Sequence, residues 1–202
     1  MKEDILNIAT NLFLNLGFKS VTMDDLAHEM GISKKTIYEH YDHKTELVQG
    51  VSFYLLNQIF EGVDAIIREN KNPIEELYDI KKYVLQHLKG DKSSPVQQLQ
   101  KYYPKIYKAI QIKQFSYMQN CVCVNLTRGI EQGLFRKNLE VDFVSRIYFI
   151  GITGIKDVSV FPAIEFPPAI LHEQYLEYHL RGIVTSKGRE ILLQLINVNH
   201  DL

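Results

Sequence analysis

Lys34, Lys35, Thr36, Tyr38 and His40 fall within seven residues, and Lys44 follows four further on. Each carries an N–H or O–H donor, on a short or a flexible stem. Side chains of this kind reach phosphate oxygens and base edges, the chemistry of reading duplex DNA. Lys44 falls in the first turn of an expected helix, where a cation opposes the helix dipole unless an anion lies nearby. Other reactive residue types do not assemble. Cys121 and Cys123 are two apart in a helical stretch, about 200° around it, so they cannot face one partner together. Among the seven histidines only His172 and His179 share a helical face, at a spacing more suited to a surface or an interface than to zinc. No nucleophile, base and orienting group stand in a catalytic order, so no enzyme, cofactor or metal site is expected.

The elements around these donors are two short helices joined by a tight turn. Thr22 has Asp25 three residues later, the pattern of a capping box that opens a helix. Leu26, Ala27 and Met30 supply its buried side and Gly31 ends it. Ser33 then caps a second helix over residues 34–41, with Ile37 pointing back to the core. Such a pair needs a small residue at the helix contact and another in the turn, which Ala27 and Gly31 provide. Ahead of them Ile5, Ile8, Ala9, Leu12, Phe13 and Leu16 mark one buried helical face, stopped by Gly17.

The run from Val21 to Leu47 resembles the DNA-binding domain of TetR-type transcriptional regulators. Thr22, Ala27, Gly31, Ser33, Thr36, Tyr38, Tyr41, Lys44 and Leu47 match in order, spacing and type. Two positions depart: Tyr41 where such proteins more often have Phe, and His43 where they have a small capping residue. The resemblance covers about the first quarter of the chain. It implies a DNA-binding set of Thr22, Ser33, Lys34, Lys35, Thr36, Tyr38, His40 and Lys44. It also implies a homodimer on a palindromic operator, with recognition helices roughly 34–36 Å apart or at a multiple of that. Residues 1–47 hold five lysines against eight acids, a net −3, so charge alone gives only modest non-specific affinity.

Beyond residue 47 the dominant period stays helical. Long helices are expected from Lys44 to about Glu69, from Pro104 to Ile130, from Val141 to about Val160 and from Ala169 to about Val184. Shorter ones follow Pro73 and Gly188, and Gly90 to Pro95 reads as a loop. The class is all-α with about nine helices. An N-terminal three-helix DNA-binding domain, residues 1–47, precedes a helical ligand-binding and dimerisation domain, residues 48–202. The helices near 141–160 and 169–184 are the expected dimer elements, by the resemblance. Tyr103, Tyr107, Phe115 and Tyr148 belong to a dense aromatic set that is either packed core or the wall of a pocket for an uncharged small-molecule effector. Two other readings stay open: a second domain that only dimerises, and a helical carrier or enzyme with a vestigial DNA-binding motif.

Composition narrows the setting. The 202 residues are 46% hydrophobic and 23% charged, with a formal net charge of −1, the mix of an ordinary globular protein. No apolar run is long enough to span a bilayer, and no apolar segment suggesting secretion follows Met1. With two cysteines and no membrane partner, the expected compartment is the cytoplasm.

Overall fold

The computed structural model describes residues 1–87 and 93–200. Ten helices follow one another among the described residues: α1 (Lys2–Leu16), α2 (Met23–Met30), α3 (Lys34–Tyr38), α4 (Lys44–Arg68), α5 (Pro73–His87), α6 (Ser93–Tyr102), α7 (Pro104–Glu131), α8 (Val141–Gly154), α9 (Pro168–Ile183) and α10 (Ser186–His200). No strand occurs among the described residues beyond an isolated bridge between Phe135 and Val184. The helix additional to the expected nine is α6. The loop expected from Gly90 to Pro95 lies outside the described residues, apart from 93–95, which open α6. No helix among the described residues is long and apolar enough to cross a membrane.

The chain forms two compact units. One comprises Met1–Glu61 and Lys92–Gln114, the other Gly62–Asp91 and Phe115–Leu202. This division by packing does not follow a single cut at residue 47. Helix α4 continues unbroken past that point, and Leu99 of α6 and Ile106 of α7 join the first core beside Ile5, Phe13, Leu26 and Ile37. In that unit the Lys19 amide also donates to Gln98 Oε1 at 2.9 Å.

The second core gathers Ile74, Leu77, Leu126, Phe135, Tyr148, Leu176, Leu180 and Leu192. Gly129 lets α7 approach Phe135; a Cβ there would meet the ring at 2.0 Å. A buried polar set ties α5 to α7. Glu76 is 2% exposed and accepts from Arg128 Nη1 at 2.7 Å and from Asn125 Nδ2 at 2.7 Å. The Arg128 fork also donates to the Lys71 carbonyl at 2.6 Å.

Two helices end earlier than their sequence pattern suggests. Helix α3 stops at Tyr38, where the His40 amide tightens onto the Ile37 carbonyl in an i→i−3 bond at 3.0 Å. Helix α8 stops at Gly154 although the apolar pattern runs on to Val160. There the Asp157 carboxylate accepts from the Ser159 amide and hydroxyl, an Asx-type turn that replaces the next helical bonds.

Candidate nucleic-acid interface

The α2–turn–α3 segment is held by local hydrogen bonds its residue types anticipate. Thr22 Oγ1 accepts from the Asp25 amide at 3.1 Å, and the Thr22 amide returns a bond to Asp25 Oδ2 at 2.8 Å. Both halves of the capping box are therefore made. These bonds hold the Asp25 carboxyl below its ordinary value. Gly31 takes φ 63°, the left-handed conformation, and the following amide of Ile32 closes onto the Ala27 carbonyl at 3.1 Å. Ser33 Oγ then accepts from the Thr36 amide at 3.1 Å to start α3. Fully buried Ile37 anchors the short helix to the first core.

This anchoring decides which side chains remain outside. Lys35 is exposed, and no ion pair is recorded for it among the described residues. Tyr38 is 40% exposed. The Thr36 hydroxyl lies 2.8 Å from Ser33 Oγ, so Ser33 and Thr36 serve the cap first. Thr22 likewise serves its capping box, and His40 is half-buried on the turn after α3. Lys34 Nζ is 2.7 Å from Asp24 Oδ2 and 6.0 Å from the centre of the Tyr38 ring. The bond to Asp24 raises the Lys34 pKa above its ordinary value.

At the start of α4, Lys44 Nζ donates to the Lys19 carbonyl at 3.0 Å. Burial lowers the Lys44 pKa, opposed by the charge of Asp25. The preceding residue resolves how this helix begins. His43 Nδ1 accepts from the Glu46 amide at 3.1 Å, and Glu46 Oε2 accepts from the Asp42 amide at 2.8 Å. Spacing alone had not shown the Asp24–Lys34 pair. Its signal was the surplus of acids over lysines in this segment.

The four aromatic residues expected to line a pocket divide between the units. Tyr103 and Tyr107 pack against the first core, and burial raises the pKa of both. Gln111 Nε2 donates to the Tyr107 hydroxyl at 3.0 Å. In the second unit Phe115 meets Phe149 edge-on at 5.0 Å, with the Arg146 guanidinium 5.4 Å from its ring centre. Tyr148 is buried against His179 at 4.8 Å and Tyr175 at 5.9 Å. Burial pushes the Tyr148 hydroxyl up to about 12 and His179 down to about 4. A surface cleft of about 380 Å³ lies away from these rings, at the α9–α10 turn, lined by Arg181, Val184, Thr185, Ser186 and Arg189.

Helices α8 and α9 leave apolar side chains uncovered. Phe143, Ile147 and Ile150 form a stripe on α8, and Ile170 and Tyr178 lie on α9. The thiols and histidines show no metal set. Cys123 Sγ donates to Ser145 Oγ at 3.4 Å, His172 Nδ1 lies 2.7 Å from the Pro168 carbonyl, and no group of three potential ligands occurs among the described residues.

Comparison with known proteins agrees with this geometry. Residues 5–51 match the family model for bacterial regulatory proteins of the tetR family. The HTH-type transcriptional repressor KstR2 of Mycolicibacterium smegmatis is 26% identical over 195 residues, covering 93% of this chain and 92% of that protein. The regulator IcaR of Staphylococcus epidermidis, a negative regulator of a biofilm operon, is 38% identical over 47 residues, 23% of this chain and 25% of that one. A transcriptional regulator from Cytophaga hutchinsonii shares the fold, with a TM-score of 0.73 at 17% identity over 91% of this chain and 98% of its own. Residues 5–51 thus match the DNA-binding domain of tetR-family regulators, and over nearly its whole length the chain is similar to DNA-binding transcriptional regulators.

Proposed function

We propose that the protein is a repressor that binds an inverted-repeat operator as a homodimer and is released by a small-molecule effector. The observation that carries the DNA half is α3: a short helix pinned by Ile37 and Ser33, with Lys35 and Tyr38 turned to solvent. Lys35, Tyr38 and Lys44 supply affinity for phosphate, and Lys34 and Thr36 lie nearer to base edges. Thr22, Ser33 and His40 complete the set, the first two by holding the helices in place. Relatives of nearly the same length that are named repressors support the sign of regulation.

Dimerisation is supported by the uncovered stripes on α8 and α9. A two-fold axis through them makes one self-complementary contact, and the dimer carries two α3 helices for the two half-sites of an inverted repeat. The effector half rests on the aromatic residues of each unit taken separately, Tyr103 and Tyr107 in the first and Phe115 and Tyr148 in the second, and favours an uncharged or weakly polar molecule. A second reading, in which the second unit only dimerises, is favoured by Tyr148, whose ring is already buried among Tyr175 and His179.

The experiment is titration of the full chain into the DNA just upstream of its own gene, searched for an inverted repeat, and into a scrambled duplex of equal length. Preference for the upstream duplex by about a thousandfold supports the proposal, and equal affinity overturns it. Calorimetry of a candidate effector with free and DNA-bound protein then separates the two readings, because coupling must be reciprocal.

A further inference from the structure

The bond between Lys34 and Asp24 places a carboxylate on the face that the preceding proposal turns toward a polyanion. Asp24 is the second residue of α2, and Lys34 is the first of α3. Both side chains are largely in solvent, 44% exposed for Lys34 and 69% for Asp24. Nothing buried requires the pair. Asp25 spends its carboxylate on the Thr22 cap, whereas Asp24 makes no bond to its own helix end among those described. An exposed ion pair of this kind adds little to folding.

We infer that Asp24 is a specificity-determining residue: it holds Lys34 off the phosphates of non-operator DNA and thereby lowers non-specific binding. The inference rests on the DNA-binding reading above. On a random duplex, Lys34 must leave a carboxylate at 2.7 Å to reach a phosphate, and the freed carboxylate then faces the same backbone. Both effects weaken binding to every non-operator duplex alike. At a matching half-site, base-edge acceptors take the place of the Asp24 carboxylate for Lys34, whose ammonium lies 6.0 Å from the centre of the Tyr38 ring. Affinity for the operator then loses less than affinity for bulk DNA, and the ratio between them rises. Among the described residues Lys35 has no such restraint, and it supplies the uniform phosphate contact.

A purely structural role for Asp24 is its favourable charge near the α2 N-terminus. Salt dependence separates the two roles. The experiment is fluorescence anisotropy of the full chain on a labelled random-sequence duplex over a salt series, with Asp24→Asn, Asp24→Ser, Lys34→Ala and the double variant Asp24→Asn/Lys34→Ala. The expected result is about three- to tenfold tighter random-duplex binding for both Asp24 variants at low salt. The log–log salt slope should steepen by about 1, one further phosphate contact, and both gains should vanish in the double variant. The upstream duplex should gain less, so discrimination falls. Unchanged slope and affinity in both Asp24 variants overturn the inference while leaving the DNA-binding reading intact. Wild-type protein that shows no salt-dependent DNA binding overturns both.

Discussion

The Glu46 amide donates to Nδ1 of His43 at 3.1 Å, so an imidazole caps the N-terminus of α4 where a hydroxyl or carboxylate is usual. The ring can accept this bond only while Nδ1 carries no proton. The cap is next to Lys44 and therefore sets the conformation of a residue proposed to bind phosphate. Replacing His43 by Ala should cost about 1 kcal/mol of stability in urea denaturation, and His43→Asn should recover most of it. Equal stability of all three proteins would show that the cap is idle.

Lys35 is exposed on α3 and makes no ion pair among the described residues, whereas Lys44 is braced on the Lys19 carbonyl. Lys35→Ala should weaken all duplexes to a similar extent and reduce the salt slope by about 1. Lys44→Ala should do the same and also release the 19–22 turn, lowering the thermal midpoint. A Lys35→Ala slope equal to wild type would remove this lysine from the phosphate contacts.

Legibility tracked sequence separation. The Thr22–Asp25 box, the Gly31 stop and the Ser33 cap are three- to five-residue devices, and each is made as read. The end of α8 has no clear mark, because Ile155, Val158 and Val160 continue the apolar spacing while Asp157 and Ser159 bend the backbone. Contacts between distant segments left no local mark. Nothing near Leu99 or Ile106 signals that they complete the core around Ile5, and a lysine ten residues from an aspartate has no periodic signature. The aromatic residues were visible as a set, but helical phase does not tell which unit each one packs in.

Arg128 neutralises a carboxylate with almost no access to water. Arg128→Met should destabilise the protein by about 3 kcal/mol, since Glu76 keeps only the neutral donor Asn125. Glu76→Leu combined with Arg128→Met should cost distinctly less than Arg128→Met alone, because no buried charge is left unpaired. Chemical denaturation of the three variants checks the order. A double variant as unstable as the single one would contradict it.

His179 sits in an apolar pocket between the Tyr148 and Tyr175 rings, and burial lowers its pKa from 6.5 to about 4. The folded state therefore binds fewer protons than the unfolded state between these values. Stability should rise with pH across this window and be lost as pH falls from about 6.5 to about 4, by at most roughly 3 kcal/mol. His179→Phe should flatten this part of the profile. A thermal midpoint that falls equally in both proteins between pH 6.5 and 4 would assign the acid sensitivity elsewhere.

The uncovered stripe on α8 makes the strongest demand on assembly. Phe143 is 63% exposed, Ile150 62% and Ile147 44%, and on α9 Tyr178 is 77% exposed. Isolated apolar side chains on a surface are ordinary, but Phe143, Ile147 and Ile150 recur every three to four residues on one face. Covering a large apolar side chain yields roughly 1.5–3 kcal/mol, less in proportion where it is already half-covered. Four such residues from each of two protomers give on the order of 10 kcal/mol. That is comparable with the loss of rigid-body freedom on association, so polar contacts at the rim must set the final affinity. Ile150→Glu places a charge at the centre of the stripe and Tyr178→Glu tests α9, while Ile112→Glu is a control in the first unit on an equally exposed residue. Light scattering at micromolar concentration should show dimers for wild type and Ile112→Glu and monomers for the other two. Those monomers should still bind random duplex through α3 but lose most of their preference for a two-half-site operator. Dimers that survive both Ile150→Glu and Tyr178→Glu would move the two-fold contact off this face.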